Sequence, residues 1–145
     1  MKEYVVEIPG LVPETVTVAL KEDLTISEDI AREVNVTPAQ FGYYAVLAEK
    51  AQGRYNNLKL SYDIWKSETE AALIEENGGP FKTIKEMDRL LFTKPKWRAY
   101  RVKLNKFEEE AKILKQVAKA FEIKKDLLQT KSSNRRSEMN GKMGA

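Results

Sequence analysis

The chain of 145 residues contains no cysteine and no histidine. Without cysteine it has no disulfide framework, no thiolate nucleophile and no thiolate metal site. Without histidine it lacks the commonest general base near neutral pH and the commonest metal ligand. The acidic residues show no metal-ligand spacing, and no glycine-rich phosphate loop precedes a lysine. We therefore expect a protein that is not an enzyme and that uses no cofactor.

Long hydrophobic runs are also missing. No apolar run approaches the roughly 20 residues that a membrane-spanning helix needs. Glu3, Glu7 and Pro9 interrupt the N-terminal segment, so it lacks the apolar core of a signal peptide. We expect a protein of the cytoplasm that does not enter a membrane. The charged fraction of 32% is high and suits long exposed helices better than a compact globule.

The charges that are present divide unevenly along the chain. Residues 1–80 contain 7 lysines and arginines against 14 acids, whereas residues 81–145 contain 18 against 8. Such asymmetry indicates either a polyanionic partner or acidic and basic faces that meet between subunits. Because nucleic acid is the commonest polyanion inside a cell, it is the first partner to consider.

Residues 1–24 predict a small β-hairpin. The segments "YVVEI" and "TVTVAL" are rich in β-branched residues, and "PGLVPE" between them carries the glycine and prolines of a turn. Two strands alone are marginally stable in water. The hairpin must therefore pack on a helix or pair with another chain.

The next segments predict a short helix over 27–34, capped by Ser27, and then a long helix. The long helix is predicted to begin where Thr37 can cap it, Pro38 suits its first position and Gln40 completes a capping box. It should end at "NGGP", which cannot continue a helix. Between these points, apolar residues recur in two seven-residue series that are typical of a coiled coil: Phe41, Ala48, Tyr55, Tyr62 and Thr69, and Tyr44, Ala51, Leu58, Trp65 and Ala72.

A second capping box, Thr83 with Glu86, predicts a short helix that ends near Phe92. A second long helix should begin around Pro95 and fade from Lys125 towards residue 131. Its seven-residue series are Trp97, Leu104, Ala111 and Ala118, and Tyr100, Phe107, Leu114, Phe121 and Leu128.

Together these signals predict a mainly α fold: a long antiparallel, coiled-coil-like helical hairpin with a short connecting helix and a small N-terminal β-hairpin. The predicted organisation is the β-hairpin at 1–24, a helical domain at 25–131 and a flexible basic tail at 132–145, which is polar and rich in Gly and Ser. One hairpin of helices closes only one face of each helix, so we expect a homo-oligomer.

The segment 82–106 holds nine cations against Glu86 and Asp88, with aromatic residues interleaved among them. A solvated helix face usually carries acids in i,i+4 register with its cations, and none lies between Lys94 and Lys106. This favours phosphate contacts, with aromatic rings available to stack on unpaired bases. Trp97 falls on the seven-residue stripe, however, which favours a packing role for its ring.

A second basic element, in the C-terminal tail, is either a solubilising end or an arm that contacts DNA. Lys124 and Lys125 could extend the same surface. The predicted nucleic-acid-binding residues are Lys82, Lys85, Arg89, Lys94, Lys96, Trp97, Arg98, Arg101, Lys103, Lys106, Arg135 and Arg136.

The order of these motifs resembles that of the UvsY-type recombination mediators of tailed phages. The resemblance covers about residues 37–139 and includes "VTPAQFGYYAVLAEKAQGRYNNLKL", the break at "NGG", "TIKEMDRLLFTKPKWRAY" and "KILKQVAKAFEIKKDLLQTKSSNRRSEM". It rests on helix order and diffuse similarity, without a catalytic motif. The ending "AFEIKKDLLQTKSSNRR" is its most distinctive part.

The resemblance implies a small helical protein that forms rings, binds single-stranded DNA and acts in DNA recombination and repair in the host cytoplasm. Such mediators help a RecA-like recombinase displace single-strand-binding protein from DNA. The chain departs from the family at "ETEAALIEEN", which is acidic where the T-even mediator is basic. Binding residues therefore cannot be carried over at that position, and the family says nothing about residues 1–24.

The alternative is a protein of a different class: a non-enzymatic helical phage assembly protein, either a scaffold or a chaperone. Its basic half would dock on an acidic protein partner. Binding to an oligonucleotide distinguishes the two.

Overall fold

The structure, a computed structural model, describes residues 3–7, 15–19, 24–26 and 29–143. Within these residues it contains three helices: α1 at Ile30–Glu76, α2 at Ile84–Phe92 and α3 at Pro95–Met143. The predicted mainly α class is confirmed. No helix among the described residues combines the length and the apolar character that crossing a membrane requires.

Two short strands precede the helices. Strand β1, Glu3–Glu7, pairs antiparallel with β2, Thr15–Ala19, and the register places Val5 opposite Thr17. The residues between the strands, 8–14, lie outside the described residues. The complete N-terminal hairpin therefore stays a prediction.

Helix α1 begins earlier than the sequence predicts. Asp29 accepts a hydrogen bond through Oδ1 from the backbone N–H of Arg32 at 3.1 Å, an arrangement typical of a helix N-cap. Ser27, the predicted cap, lies outside the described residues. The predicted start at Thr37 is wrong, because α1 runs through Pro38 without ending.

A proline inside a helix removes one hydrogen bond and crowds the carbonyl four residues before it. Tertiary contacts on both sides of Pro38 oppose this cost. Glu33 forms an ion pair with α3 before the proline, and Tyr44 packs against α3 after it. Thr37 is completely buried between them, and its hydroxyl has no hydrogen-bond partner. Packing against α3 therefore prevails over the local start signal.

The other local signals give the predicted boundaries. Helix α1 ends before Gly78, whose φ of 75° lies in the left-handed region that favours glycine. The N–H of Gly79 donates to the carbonyl of Ile74 at 3.1 Å, as in a Schellman motif. Thr83 caps α2 and accepts from the N–H of Glu86 at 3.3 Å. Helix α3 begins at Pro95, as predicted.

The predicted helix end near residue 131 is wrong, because α3 continues to Met143. The polar residues 132–143 contain no proline, and most are compatible with a helix that is already nucleated by its buried part. The flexibility expected of residues 132–145 stays a prediction.

The chain forms two compact units, and each contains part of α1 and part of α3. Unit 1 comprises residues 1–50 and 112–145, and unit 2 comprises residues 51–111. The core of unit 1 centres on Tyr44 and Phe121, whose rings stack with centroids 4.9 Å apart. Around this pair lie other buried side chains of both helices: Leu47, Leu114, Val117, Ala118 and Leu128.

Unit 1 also contains a buried ion pair. Lys124 is only 4% exposed, and its Nζ lies 2.6 Å from Oε2 of Glu33. The neighbouring Lys125 places its Nζ 4.9 Å from the centre of the Phe41 ring. The expectation that these two lysines extend a basic surface is wrong for Lys124. Lys124 lies on the buried face of α3, and its charge is neutralised there by Glu33.

In unit 2 the segments of α1 and α3 run antiparallel, because Arg54 lies near Glu110 and Tyr62, further along α1, lies near Tyr100. The buried core residues are Ala51, Leu73, Leu91, Leu104 and Ala111. Most predicted stripe positions are buried or half-buried, but Ala72 is exposed. Leu73 takes its place in the core.

The buried ion pair yields a stability prediction. Glu33→Gln should lower the free energy of unfolding by about 3 kcal/mol, because it leaves the ammonium of Lys124 buried beside a neutral side chain. Replacing both partners, as Glu33→Leu with Lys124→Met, should recover most of that loss. Urea unfolding followed by circular dichroism measures both. A double variant no more stable than Glu33→Gln would contradict the prediction.

Candidate nucleic-acid interface

The basic segment 82–106 lies within unit 2, along α2 and the first three turns of α3. Only Thr93 and Lys94 link the two helices, and both take part in backbone hydrogen bonds that close the turn. Lys82, Lys85 and Arg89 are exposed on or just before α2. Arg89 lies in the last turn of α2, where a cation interacts favourably with the helix dipole.

The cations at the start of α3 form two rows. Lys94, Arg98 and Arg101 follow an i, i+4, i+7 spacing, so they share one side of the helix. Lys96 and Lys103, seven residues apart, lie on the other side of the buried stripe. These five residues are here called the α3 basic rows. The structure describes no ion pair for any of them within residues 29–143.

The α3 basic rows lie near the N-terminus of a helix, whose partial positive charge adds to the electrostatic potential of the cations. The first turn of α3 contains no acidic residue. A helix N-terminus carries partial positive charge, which opposes nearby cations and attracts anions. The arrangement therefore costs the isolated protein some stability and favours a bound polyanion. Lys106, the last predicted residue of the segment, is exposed further along α3.

Trp97 has the packing role that its stripe position predicts. It is half-buried, and its ring packs on Phe92 at a centroid distance of 4.6 Å with an interplanar angle of 37°. Phe92 is 50% exposed. The sequence reasoning missed Phe92 because it ends the short helix and belongs to no seven-residue series. Two rings next to the α3 basic rows, those of Phe92 and Trp97, are therefore open to stacking.

A second aromatic cluster lies beneath the same rows. Tyr62, Trp65 and Tyr100 have ring centroids between 5.6 and 6.1 Å apart. The guanidinium of Arg101 lies 5.9 Å from the centre of the Tyr62 ring, at the limit of a cation–π contact. Arg101 is thus partly oriented by packing while it remains exposed.

Trp65 also lines an open groove of about 400 Å³. The other lining residues are Glu68, Thr69 and Ala72 from α1, and Lys94, Pro95 and Lys96 from the start of α3. Because two of the lysines of the α3 basic rows border this groove, it joins an aromatic surface to positive charge. The seven-residue series predicts only a core position for Trp65 and gives no sign of this groove.

One cation of unit 2 is excluded from the interface. The guanidinium of Arg54 lies 4.1 Å from the centre of the Phe107 ring and 3.8 Å from Oε2 of Glu110. Burial lowers the pKa of Arg54, and the charge of Glu110 opposes that shift. Arginine stays protonated in proteins despite such a shift, so Arg54 acts as a structural charge inside unit 2.

The two C-terminal candidates lie in unit 1. Arg136 is exposed, and its guanidinium donates to Oγ of Ser132 at 3.4 Å, one turn back along α3. The side chain of Arg135 lies outside the described part of the structure. Both residues belong to α3, so the structure describes no separate arm at these two positions.

Among the described residues, no group of three or more acidic side chains is arranged to hold a metal ion. Comparison of the chain with protein-family models, curated proteins and solved structures found no match.

The contact between Trp97 and Phe92 yields a prediction that separates packing from binding. Trp97→Ala should lower the free energy of unfolding by about 2 kcal/mol, roughly half the cost of removing a fully buried tryptophan. Arg98→Ala, one residue away and exposed, should change it by less than about 0.5 kcal/mol. Thermal unfolding followed by circular dichroism compares the two. Equal stability of the two variants would mean that the Trp97 ring is free surface.

Proposed function

We propose that the protein binds single-stranded DNA and acts as a recombination mediator without catalytic activity. In this role it promotes the loading of a RecA-like recombinase onto DNA covered by single-strand-binding protein. The observation that carries the proposal is the set of α3 basic rows, five cations without a described ion pair beside half-exposed aromatic rings. The resemblance of residues 37–139 to phage mediators supports the recombinase step.

The binding energy comes mainly from phosphate neutralisation. Each lysine or arginine that contacts a phosphate releases condensed counterions, so affinity falls steeply as salt rises. Stacking on Phe92 or Trp97 adds a smaller contribution that every base can provide. Neither of these two contributions depends on base sequence.

The proposal includes a homo-oligomer, a ring of coiled-coil-like helical hairpins in which the N-terminal strands take part. Several large apolar side chains that are more than half exposed support it: Val46, Leu60 and Ile64 on α1, and Ile123 and Leu127 on α3. Several copies of a weak site on one assembly bind a long strand far more tightly than one copy does. A mediator of this kind acts in the cytoplasm of the phage host.

The same exposed apolar side chains would also serve the alternative, a phage assembly scaffold or chaperone that docks on an acidic protein. The two differ in what the α3 basic rows contact. A scaffold needs no affinity for an oligonucleotide, whereas a mediator must bind one.

Removing two cations tests the proposal. Arg98→Ala with Arg101→Ala should weaken binding to single-stranded DNA of any sequence. It should also reduce the slope of log affinity against log salt by about 1.4, at roughly 0.7 for each phosphate contact on a single strand. Fluorescence anisotropy of a labelled oligonucleotide at several salt concentrations measures both quantities.

The matched control replaces two exposed lysines of α1, Lys50→Ala with Lys59→Ala, which removes the same charge outside the basic rows. It should change the slope much less. If the folded arginine variant keeps its affinity and slope, the α3 basic rows are a solvated helix face and DNA contacts lie elsewhere.

The assembly is tested by multi-angle light scattering. The full chain should have a mass well above that of a dimer, and a chain that begins at Leu24 should form a smaller assembly, because an unpaired two-stranded element needs a partner. A monomeric full chain would refute the oligomer, whereas an unchanged mass after truncation would refute only the role of the strands.

A further inference from the structure

The groove beside Trp65 has the chemistry of a nucleotide site. We infer that it holds one unpaired base of a bound DNA strand and prefers a base that carries an exocyclic amino group. This inference rests on the proposed function, since it assigns a place and a preference to the DNA that the α3 basic rows would bind. The groove volume of about 400 Å³ falls in the range of small-ligand sites.

The aromatic side of the groove provides the stacking surface. Trp65 is half-buried, and Tyr62 and Tyr100 support it at centroid distances of 6.1 and 5.6 Å. A supported ring loses little conformational freedom when a base stacks on it. Ala72, which is exposed and lies seven residues further along α1, lines the same groove and leaves room in it because its side chain is small.

The positive side of the groove selects an anionic ligand. Lys94 and Lys96 line the groove from either side of Pro95, and neither has a described ion pair among residues 29–143. A nucleotide in a strand carries a phosphate on each side of its base. Two separate ammonium groups next to one aromatic ring match that arrangement, and an uncharged apolar ligand would leave both of them unused.

Another polar side chain of the groove supplies the preference. Glu68 is exposed, lines the same groove, and forms no ion pair that the structure describes with either lysine. A carboxylate accepts hydrogen bonds only, so it can accept from the amino group of cytosine, adenine or guanine. Thymine has no amino group, and its one ring N–H lies between two carbonyl oxygens that repel a carboxylate. The groove should therefore favour cytosine over thymine.

The first experiment uses the full-length Trp97→Phe protein, in which Trp65 is the sole tryptophan. Adding a 20-residue oligo(dC) near pH 8 should quench its fluorescence, because a stacked base quenches the indole. An oligonucleotide of the same length with abasic sites should bind with little quenching. Binding of oligo(dC) without quenching would overturn the inference.

The second experiment measures the preference itself and does not depend on the tryptophan variant. The unmodified protein should bind oligo(dC) about threefold or more tightly than oligo(dT), as one charge-assisted hydrogen bond per site allows. Glu68→Ala should bring the two affinities together. Glu75→Ala removes the same charge from an exposed position of α1 outside the groove and should preserve the ratio.

The outcomes separate this inference from the function on which it rests. Salt-dependent binding with equal affinities for the two oligonucleotides would overturn the base preference and leave the proposed DNA binding intact. An equal change of the oligo(dC) to oligo(dT) affinity ratio in Glu68→Ala and Glu75→Ala would also overturn the base preference and leave the proposed DNA binding intact. Absence of binding to every oligonucleotide would overturn both.

Discussion

Within each compact unit, two paired helix segments can bury only one stripe against each other, and many features of this protein follow from that constraint. In each compact unit, a segment of α1 packs against a segment of α3 along one stripe, with Tyr44 on Phe121 as the central contact of unit 1. Every other face must meet water or a partner. Charge is therefore plentiful outside the stripe, and the few charges within it, such as Lys124, need a partner of opposite sign.

The same constraint explains the unusual state of the α3 basic rows. A protein that buried more of its surface could surround such cations with acids of a third helix. Here Lys94, Arg98 and Arg101 form no ion pair that the structure describes within residues 29–143, although Glu68 lines the same groove as Lys94. Their mutual repulsion and the helix dipole both oppose them, so a bound polyanion would relieve an existing strain. The groove beside Trp65 adds a further place on this surface where a flat ring and phosphates could be held together.

Local rules and helical periodicity predicted much of the fold. The capping box at Thr83, the glycine at Gly78 and the proline at Pro95 each mark a boundary that the structure contains. At Pro38 the local rule failed, since the contacts on both sides of the proline join residues that are 91 and 77 positions apart. No pattern within a short window can report them.

The candidate site was predicted less completely than the fold. Its cations were visible in the sequence because the segment lacks acids, but Phe92 and the groove at Trp65 depend on which helices meet. Lys124 shows the converse case, a charge that resembles surface in the sequence and is buried in the structure. Sequence gives the residue types of an interface, and tertiary packing decides which of them water reaches.

Pro38 has a consequence for the motions of α1. Residues 30–37, which precede Pro38, lack one of the backbone hydrogen bonds that would join them to the rest of the helix, because proline has no N–H to donate. What holds them is chiefly the pair between Glu33 and Lys124. A segment attached in this way can open locally at a lower free energy than global unfolding requires. We therefore expect hydrogen exchange of the amides at the start of α1 to depend on this one ion pair rather than on the stability of the whole helix.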